Sequence, residues 1–158
     1  MDNDMIDKIR RLGLWAEKKI EVETKTKPRT FLEGEIFWAV LGENIGVEVY
    51  GKGNDFLRPV VILHKYNRDS LFVVPLTSQD QTSRWCVPFN HRGLKEYTLL
   101  SQSRMISVKR LRRKMGRIDD TDYRRIRNTL VLQLLGRSER RKMSERLMIY
   151  LLKKSIQD

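Results

Sequence analysis

The chain has 158 residues, enough for one domain with a substantial core and room for an appendage. Apolar residues make up 40% and charged residues 33%, and the formal net charge is +12, which points either to a polyanionic partner, nucleic acid or an acidic protein, or to an inert basic surface. A single cysteine, Cys86, excludes an internal disulfide and a cysteine-rich zinc site, and no apolar run approaches the ~18 residues of a membrane span.

The N-terminal stretch "MDNDMIDKIRRLG" is acidic and then amphipathic, without a signal-peptide core. The expectation is a soluble, cytoplasmic protein with no membrane partner. Residues 4–20 place Met5, Ile9, Leu12, Ala16 and Ile20 on one helical face. "EVETKTKPRT", residues 21–30, is polar, carries Pro28 and reads as a linker.

From Phe31 the pattern changes to short strands. "GEIFWAVLG" is one; "IGVEVYGKG" holds a short extended piece and a glycine-lysine-glycine loop. "RPVVILHKY" and "SLFVVPLTS", separated by the turn "NRDS", predict an antiparallel hairpin. "SRWCVPFN" and "YTLLSQSRMIS" are the fourth and fifth strands. "GRIDDTDYRRIRNTLVLQLLG" then predicts a helix capped by Asp119 or Asp120, with Tyr123, Ile126, Leu130 and Leu134 on one face. A second helix starts near Ser138, with Met143, Leu147, Tyr150 and Leu151 as its stripe.

The predicted fold is mainly β within an α+β class. It is a small SH3-like antiparallel β-barrel or strongly bent sheet, with a packed C-terminal helix and helical extensions at both ends. The organisation is residues 1–30 as helix and linker, 31–136 as barrel domain with helix, and 137–158 as a basic extension.

Standard catalytic devices are absent: there is no HExxH, Walker loop, GxSxG or GxGxxG. Acidic residues in the β segments are scattered, so no ligand set for a metal is visible. His64 falls at a strand end and His91 in a turn, which reads as surface histidine rather than an acid–base pair. Cys86 lies in an alternating strand and reads as a buried thiol.

What remains is polar residues at strand ends. Arg58 stands before Pro59 at the mouth of one hairpin strand, and Thr77 and Ser78 end the other. Pairing through the 67–70 turn puts Arg58 beside Thr77 at the hairpin's open end. Proline lacks an N–H and belongs at a strand's first residue or on an edge. A guanidinium next to hydroxyls suits the grip of a phosphate; the other reading pairs Arg58 with a carboxylate such as Glu48 or Asp55. The basic run "SVKRLRRKMGR" is either an RNA-backbone contact or a solvated face, on a helix or turn.

"GEIFWAVLG", "NIGVEVYGKG", "RPVVILHK", "VVPLTS" and "LLSQSRMISVKRLRRKMGRI" follow in order and at consistent spacing. Together they resemble the MazF/PemK toxins of type II toxin–antitoxin systems over about residues 31–135, in a PemK-like form with an N-terminal helix. The resemblance implies a homodimeric barrel that cleaves single-stranded RNA, chiefly mRNA, at short sequences without a metal or other cofactor. It also implies a cognate antitoxin that lays an acidic, disordered tail over the RNA groove. Arg58 matches the family's catalytic "RP" arginine, and Thr77 matches the threonine that ends the next strand. The implied chemistry is attack of a ribose 2′-OH on the adjacent phosphorus, leaving a 2′,3′-cyclic phosphate and a 5′-OH. Pro59 then stiffens the chain beside the arginine and ends the ladder. Glu48, Lys52, Ser78, Gln102 and Arg104 are the implied RNA-binding residues, with Arg104 equally open to a structural role.

The chain also departs from the family. Val49 stands where many relatives have glutamine, and Ser101 where many have a carboxylate. Leu99 and Ser101 occupy positions from which some relatives draw a catalytic arginine and aspartate, so that mechanism has no support here and the general base is unassigned. Two functions stay open: a toxin-type endoribonuclease, and a non-cutting basic module that binds RNA, DNA or an antitoxin.

Overall fold

The computed structural model describes residues 3–25, 29–135, 138, 139, 141, 142 and 145. Helix α1 (Asn3–Lys25) precedes seven strands: β1 (Glu35–Val40), β2 (Leu57–Lys65), β3 (Ser70–Thr77), β4 (Cys86–His91), β5 (Leu94–Leu99), β6 (Arg104–Ser107) and β7 (Leu111–Arg117). Helix α2 (Asp120–Leu134) follows. The strands form one antiparallel sheet in the order β4-β5-β3-β2-β1-β7, and β6 pairs with β3 as well. The sheet is strongly bent but not closed by hydrogen bonds. Its edges nearly meet where His91 lies against Gly116, so closely that a Cβ on Gly116 would stand 2.6 Å from the His91 ring nitrogen.

The central strand β2 is apolar without alternation because both its faces are covered. Val60 and Ile62 join Phe37, Leu71, Ile106 and Leu111 in one core. Val61 and Leu63 join Ile36, Val74, Leu76 and Phe89 in the other, where Ile126 of α2 is fully buried. Asp119 caps α2, its carboxylate accepting from the Asp122 N–H at 2.8 Å, as an acidic N-terminus favours. Tyr123 and Leu130 pack on this core as the periodicity predicts, but Leu134 is exposed.

Four features differ from the sequence-based expectation: the fifth strand expected at 97–107 is two, β5 and β6, separated by a turn at Leu100–Gln102. The helix continues through residues 21–25 of the expected linker, and Val22 is buried beside Trp15, Val40 and Phe56. Its stripe of Met5, Ile9, Leu12 and Ile20 is exposed; the helix instead turns Lys8, Arg11, Trp15 and Lys18 inward. Ion pairs together with the burial of Trp15 and Val22 set that face. Finally, "LRRKMGR" is not a helix or turn but strand β7, pairing with β1 around two bulges. A strand with one exposed face tolerates such charge. The stripe expected at Met143, Leu147, Tyr150 and Leu151 lies outside the described residues.

Candidate active site

The β2–β3 ladder runs from Lys65 opposite Leu71 to Val60 opposite Pro75 and stops there. A bulge between Ile62 and His64 shifts the register by one residue from that of the turn, and two steps beyond Val60 the shifted register sets Arg58 opposite Thr77. Pro59 is neither first in its strand nor on an edge; it is the third residue of a central strand and pairs with Trp38. It fits because the ladder toward β3 has already ended at Val60. Beyond that point β3 pairs with β5 through Leu76 and Thr77.

This splay leaves a cavity of about 440 Å³ lined by Lys52, Arg58, Thr77, Ser78 and Glu96, with an apolar wall that includes Trp38, Pro59 and Met115. Arg58 is only 8% exposed. Its Nε donates to the Tyr50 carbonyl at 2.7 Å and its Nη1 to the Leu76 carbonyl at 3.2 Å. These are its hydrogen-bond partners among the described residues, and neither carries a charge. The ion-pair alternative is not realised: Asp55 pairs with Lys18, and the Glu48 carboxylate accepts from Ile45 N–H in its own turn. Burial lowers the Arg58 pKa from its ordinary value, but a guanidinium remains cationic at neutral pH. The cavity therefore holds an oriented, buried cation that makes no ion pair among the described residues. Thr77 Oγ1 accepts from the Gln79 N–H at 3.2 Å and keeps its own proton for a ligand.

The Tyr50 carbonyl is delivered by the loop at residues 42–56. Gly51 N–H donates to the Gly42 carbonyl at 2.7 Å, which closes the loop, and Lys52 bridges to Leu57. Gly42 has φ +86°, and a Cβ there would lie 2.1 Å from the Trp15 ring, so only glycine fits. Phe56 has φ 52°, a left-handed conformation that costs a non-glycine residue about 1–2 kcal/mol. It is held there by burial against Trp15, whose ring centroid is 5.5 Å away.

The other expected site residues do not line this cavity. Gln102 spends its amide on the loop: Oε1 accepts from Val49 N–H at 2.9 Å and Nε2 donates to the Val47 carbonyl at 3.2 Å. Arg104 lies beside it, donating to Gln102 Oε1 at 3.4 Å. Glu48 is exposed in the same loop. His64 contacts Glu33 at 2.9 Å, and neither histidine borders the cavity. Cys86 is partly buried, and burial pushes its thiol up, away from nucleophilic use.

Sequence reasoning did not find Glu96. Continuing the Thr77–Tyr97 register by one residue puts Glu96 opposite Ser78, and among the described residues it is the one carboxylate lining the cavity. Nothing in "LKEYTL" marks that residue out, because its role comes from a neighbour strand distant in sequence. Among the described residues, no three His, Cys, Asp or Glu side chains gather as a cation site. No described helix is long and apolar enough to cross a membrane.

The model of PemK-like, MazF-like toxins of type II toxin–antitoxin systems matches residues 32–134. Among solved structures, an endoribonuclease from a Mycobacterial species, in complex with its cognate antitoxin, is similar at 18% identity and TM-score 0.52, covering 68% of this chain and 99% of that one. MazF from Deinococcus radiodurans is similar at 18% identity and TM-score 0.54, covering 65% and 94%. The MazE–MazF complex from Deinococcus radiodurans is similar at 16% identity and TM-score 0.52, covering 68% and 99%. No curated protein matches the chain.

Proposed function

Because this chain belongs to the PemK-like, MazF-like toxins of type II toxin–antitoxin systems, we propose that it is an endoribonuclease that cuts single-stranded mRNA by metal-independent transesterification. The observation that carries this reading is Arg58, a buried guanidinium without an ion pair among the described residues, on the wall of a cavity that also presents Thr77, Ser78 and Glu96.

A scissile phosphate enters the cavity and meets the Arg58 guanidinium. The ribose 2′-oxygen attacks phosphorus, and its proton passes to the Glu96 carboxylate. The bond from phosphorus to the 5′-oxygen breaks, and that oxygen takes a proton from solvent. The products are a 2′,3′-cyclic phosphate and a 5′-OH; Glu96 returns its proton to water. Arg58 and the Thr77 hydroxyl donate to the non-bridging oxygens, where negative charge grows in the phosphorane. Their carbonyl and amide partners already hold them in place, so little reorganisation is needed at the moment of reaction. Lys52 and Ser78 contact the flanking backbone. Glu48, Gln102 and Arg104 shape the loop beside the RNA path.

The reading includes a homodimer in the cytoplasm and a cognate antitoxin with an acidic tail. The net charge of +12 supports such a partner, and two of the similar structures hold their toxins with an antitoxin.

The test is cleavage of a long single-stranded RNA in EDTA by wild type and by Arg58→Ala, with the product ends mapped. Discrete cuts by wild type alone, with 5′-OH ends, are expected. RNA bound but uncut by both would make this a binding module, and cutting only with added magnesium would refute the mechanism.

A further inference from the structure

The residues that match the family begin at 32, yet α1, which lies wholly before them, grips the loop that aims Arg58. Glu43 is buried, its side chain 2% exposed. Its carboxylate accepts from Lys8 Nζ at 2.9 Å and from Arg11 Nε at 2.6 Å. Arg11 does more than neutralise it. Its Nη2 donates to the Gly51 carbonyl at 3.1 Å, and its Nη1 reaches the Gly53 carbonyl at 3.5 Å. The same guanidinium lies over the ring of Phe56, 4.9 Å from its centroid.

One side chain of α1 thus ties together four points of the 42–56 loop. Gly51 and Gly53 flank Lys52, and Lys52 and Gly53 border the cavity. Tyr50, one residue before Gly51, supplies the carbonyl that receives Arg58 Nε. Phe56, two residues before Arg58, is the strained residue that Arg11 and Trp15 cover.

We propose that Arg11 is a positioning residue: through Glu43 and the Gly51 and Gly53 carbonyls it fixes the loop that orients Arg58 and Lys52 for RNA cleavage. This rests on the ribonuclease reading above. A planar fork is what the task needs, since three acceptors in different directions must be held at once. Lysine can meet Glu43 but cannot span to both carbonyls. Misplacement of a reacting group by about 1 Å can cost on the order of a hundred-fold in rate.

The test uses Arg11→Gln, Arg11→Lys and Glu43→Gln in the full chain. Two readouts are taken: steady-state cleavage of a short RNA carrying a mapped site, and the NMR signal of the Arg58 Nε–H. In wild type that proton should exchange slowly, because it is buried on the Tyr50 carbonyl. In Arg11→Gln, kcat should fall about ten-fold or more with KM within two-fold. The Arg58 Nε–H should broaden or exchange faster, while the amide signals of Val61 and Val73 stay protected. Arg11→Lys should recover thermal stability but not kcat; full recovery of both would mean a plain ion pair and overturn the proposal. A wild-type kcat and Arg58 signal in Arg11→Gln would overturn it too. Glu43→Gln, which keeps the side chain's size, answers the same question if Arg11→Gln does not fold. If wild type cuts no RNA, the ribonuclease reading fails, and the Arg58 signal still decides whether Arg11 positions that guanidinium.

Discussion

The Nε–H of Arg58 points at the Tyr50 carbonyl, 2.7 Å away. A loop therefore holds the guanidinium from one side, while the Leu76 carbonyl holds it from the other. Its position is set before any substrate arrives. Arg58→Ala should lower cleavage by roughly 10²–10³-fold, the cost of losing one preorganised donor to a developing oxyanion. Arg58→Lys should not restore it, because an ammonium cannot reach both carbonyls and a phosphate. Near-normal cutting by either variant would remove Arg58 from the mechanism.

Glu96→Gln should lower kcat by about 10²–10⁴-fold, the usual range for a positioned general base. Amide replaces carboxylate with little change of shape, so RNA binding to a non-cleavable 2′-deoxy analogue should be kept. Retained kcat would assign the base elsewhere.

Thr77→Val keeps the branched shape and removes only the hydroxyl. Cleavage should fall by about 10–100-fold, in line with one hydrogen bond of about 1.5–3 kcal/mol to a charged oxygen. Fold, followed by circular dichroism, should not change. A variant with the wild-type rate would leave phosphate binding to Arg58 and Ser78.

Gly42→Ala should destabilise the protein by about 2–4 kcal/mol, from overpacking and a left-handed backbone together. The added Cβ meets the Trp15 ring at 2.1 Å, so α1 must lift. Trp15 fluorescence should shift to the red as the ring leaves its buried site. An unshifted emission maximum would contradict the packing of α1 on this loop.

Acid should weaken the attachment of α1. Burial pushes the Glu43 carboxyl up, but hydrogen bonds and charge from Lys8 and Arg11 outweigh it and hold the group below its ordinary 4.5. The folded state therefore binds this proton less readily than the unfolded one. The stability it contributes is complete above the unfolded value and is lost as pH falls through the lower folded one. Urea unfolding between pH 7 and pH 3 should show a shallower acid loss in Glu43→Gln than in wild type. Equal slopes would show that Glu43 is not linked to folding.

Much of the site was legible because a hairpin is arithmetic. The short turn at 67–70 pairs Lys65 with Leu71 and His64 with Phe72, a register that alone would set Arg58 opposite Ser78; the bulge between Ile62 and His64 shifts it by one residue, to Thr77. Asp119 as helix cap and Ile126 as core followed from equally local rules. Gln102 was expected to face RNA, but its amide is used on the backbone of Val47 and Val49. Residue type alone does not reveal which partner an amide will find.

Local chemistry in the sequence determined the hairpin, the cap of α2 and the basic surface, because each depends on neighbours within a few residues or on one short turn. Tertiary structure decided the rest. Strand β7 exists because β1 has a free edge to fill. Glu96 reaches the cavity because β3 pairs with β5 beyond Pro75. The inward face of α1 was set by buried Glu43, more than thirty positions from Lys8 and Arg11, and by the seating of Trp15 and Val22 against Val40 and Phe56. A buried carboxylate must find its cations wherever the fold brings them, and that requirement overrode the apolar stripe that periodicity alone would have buried.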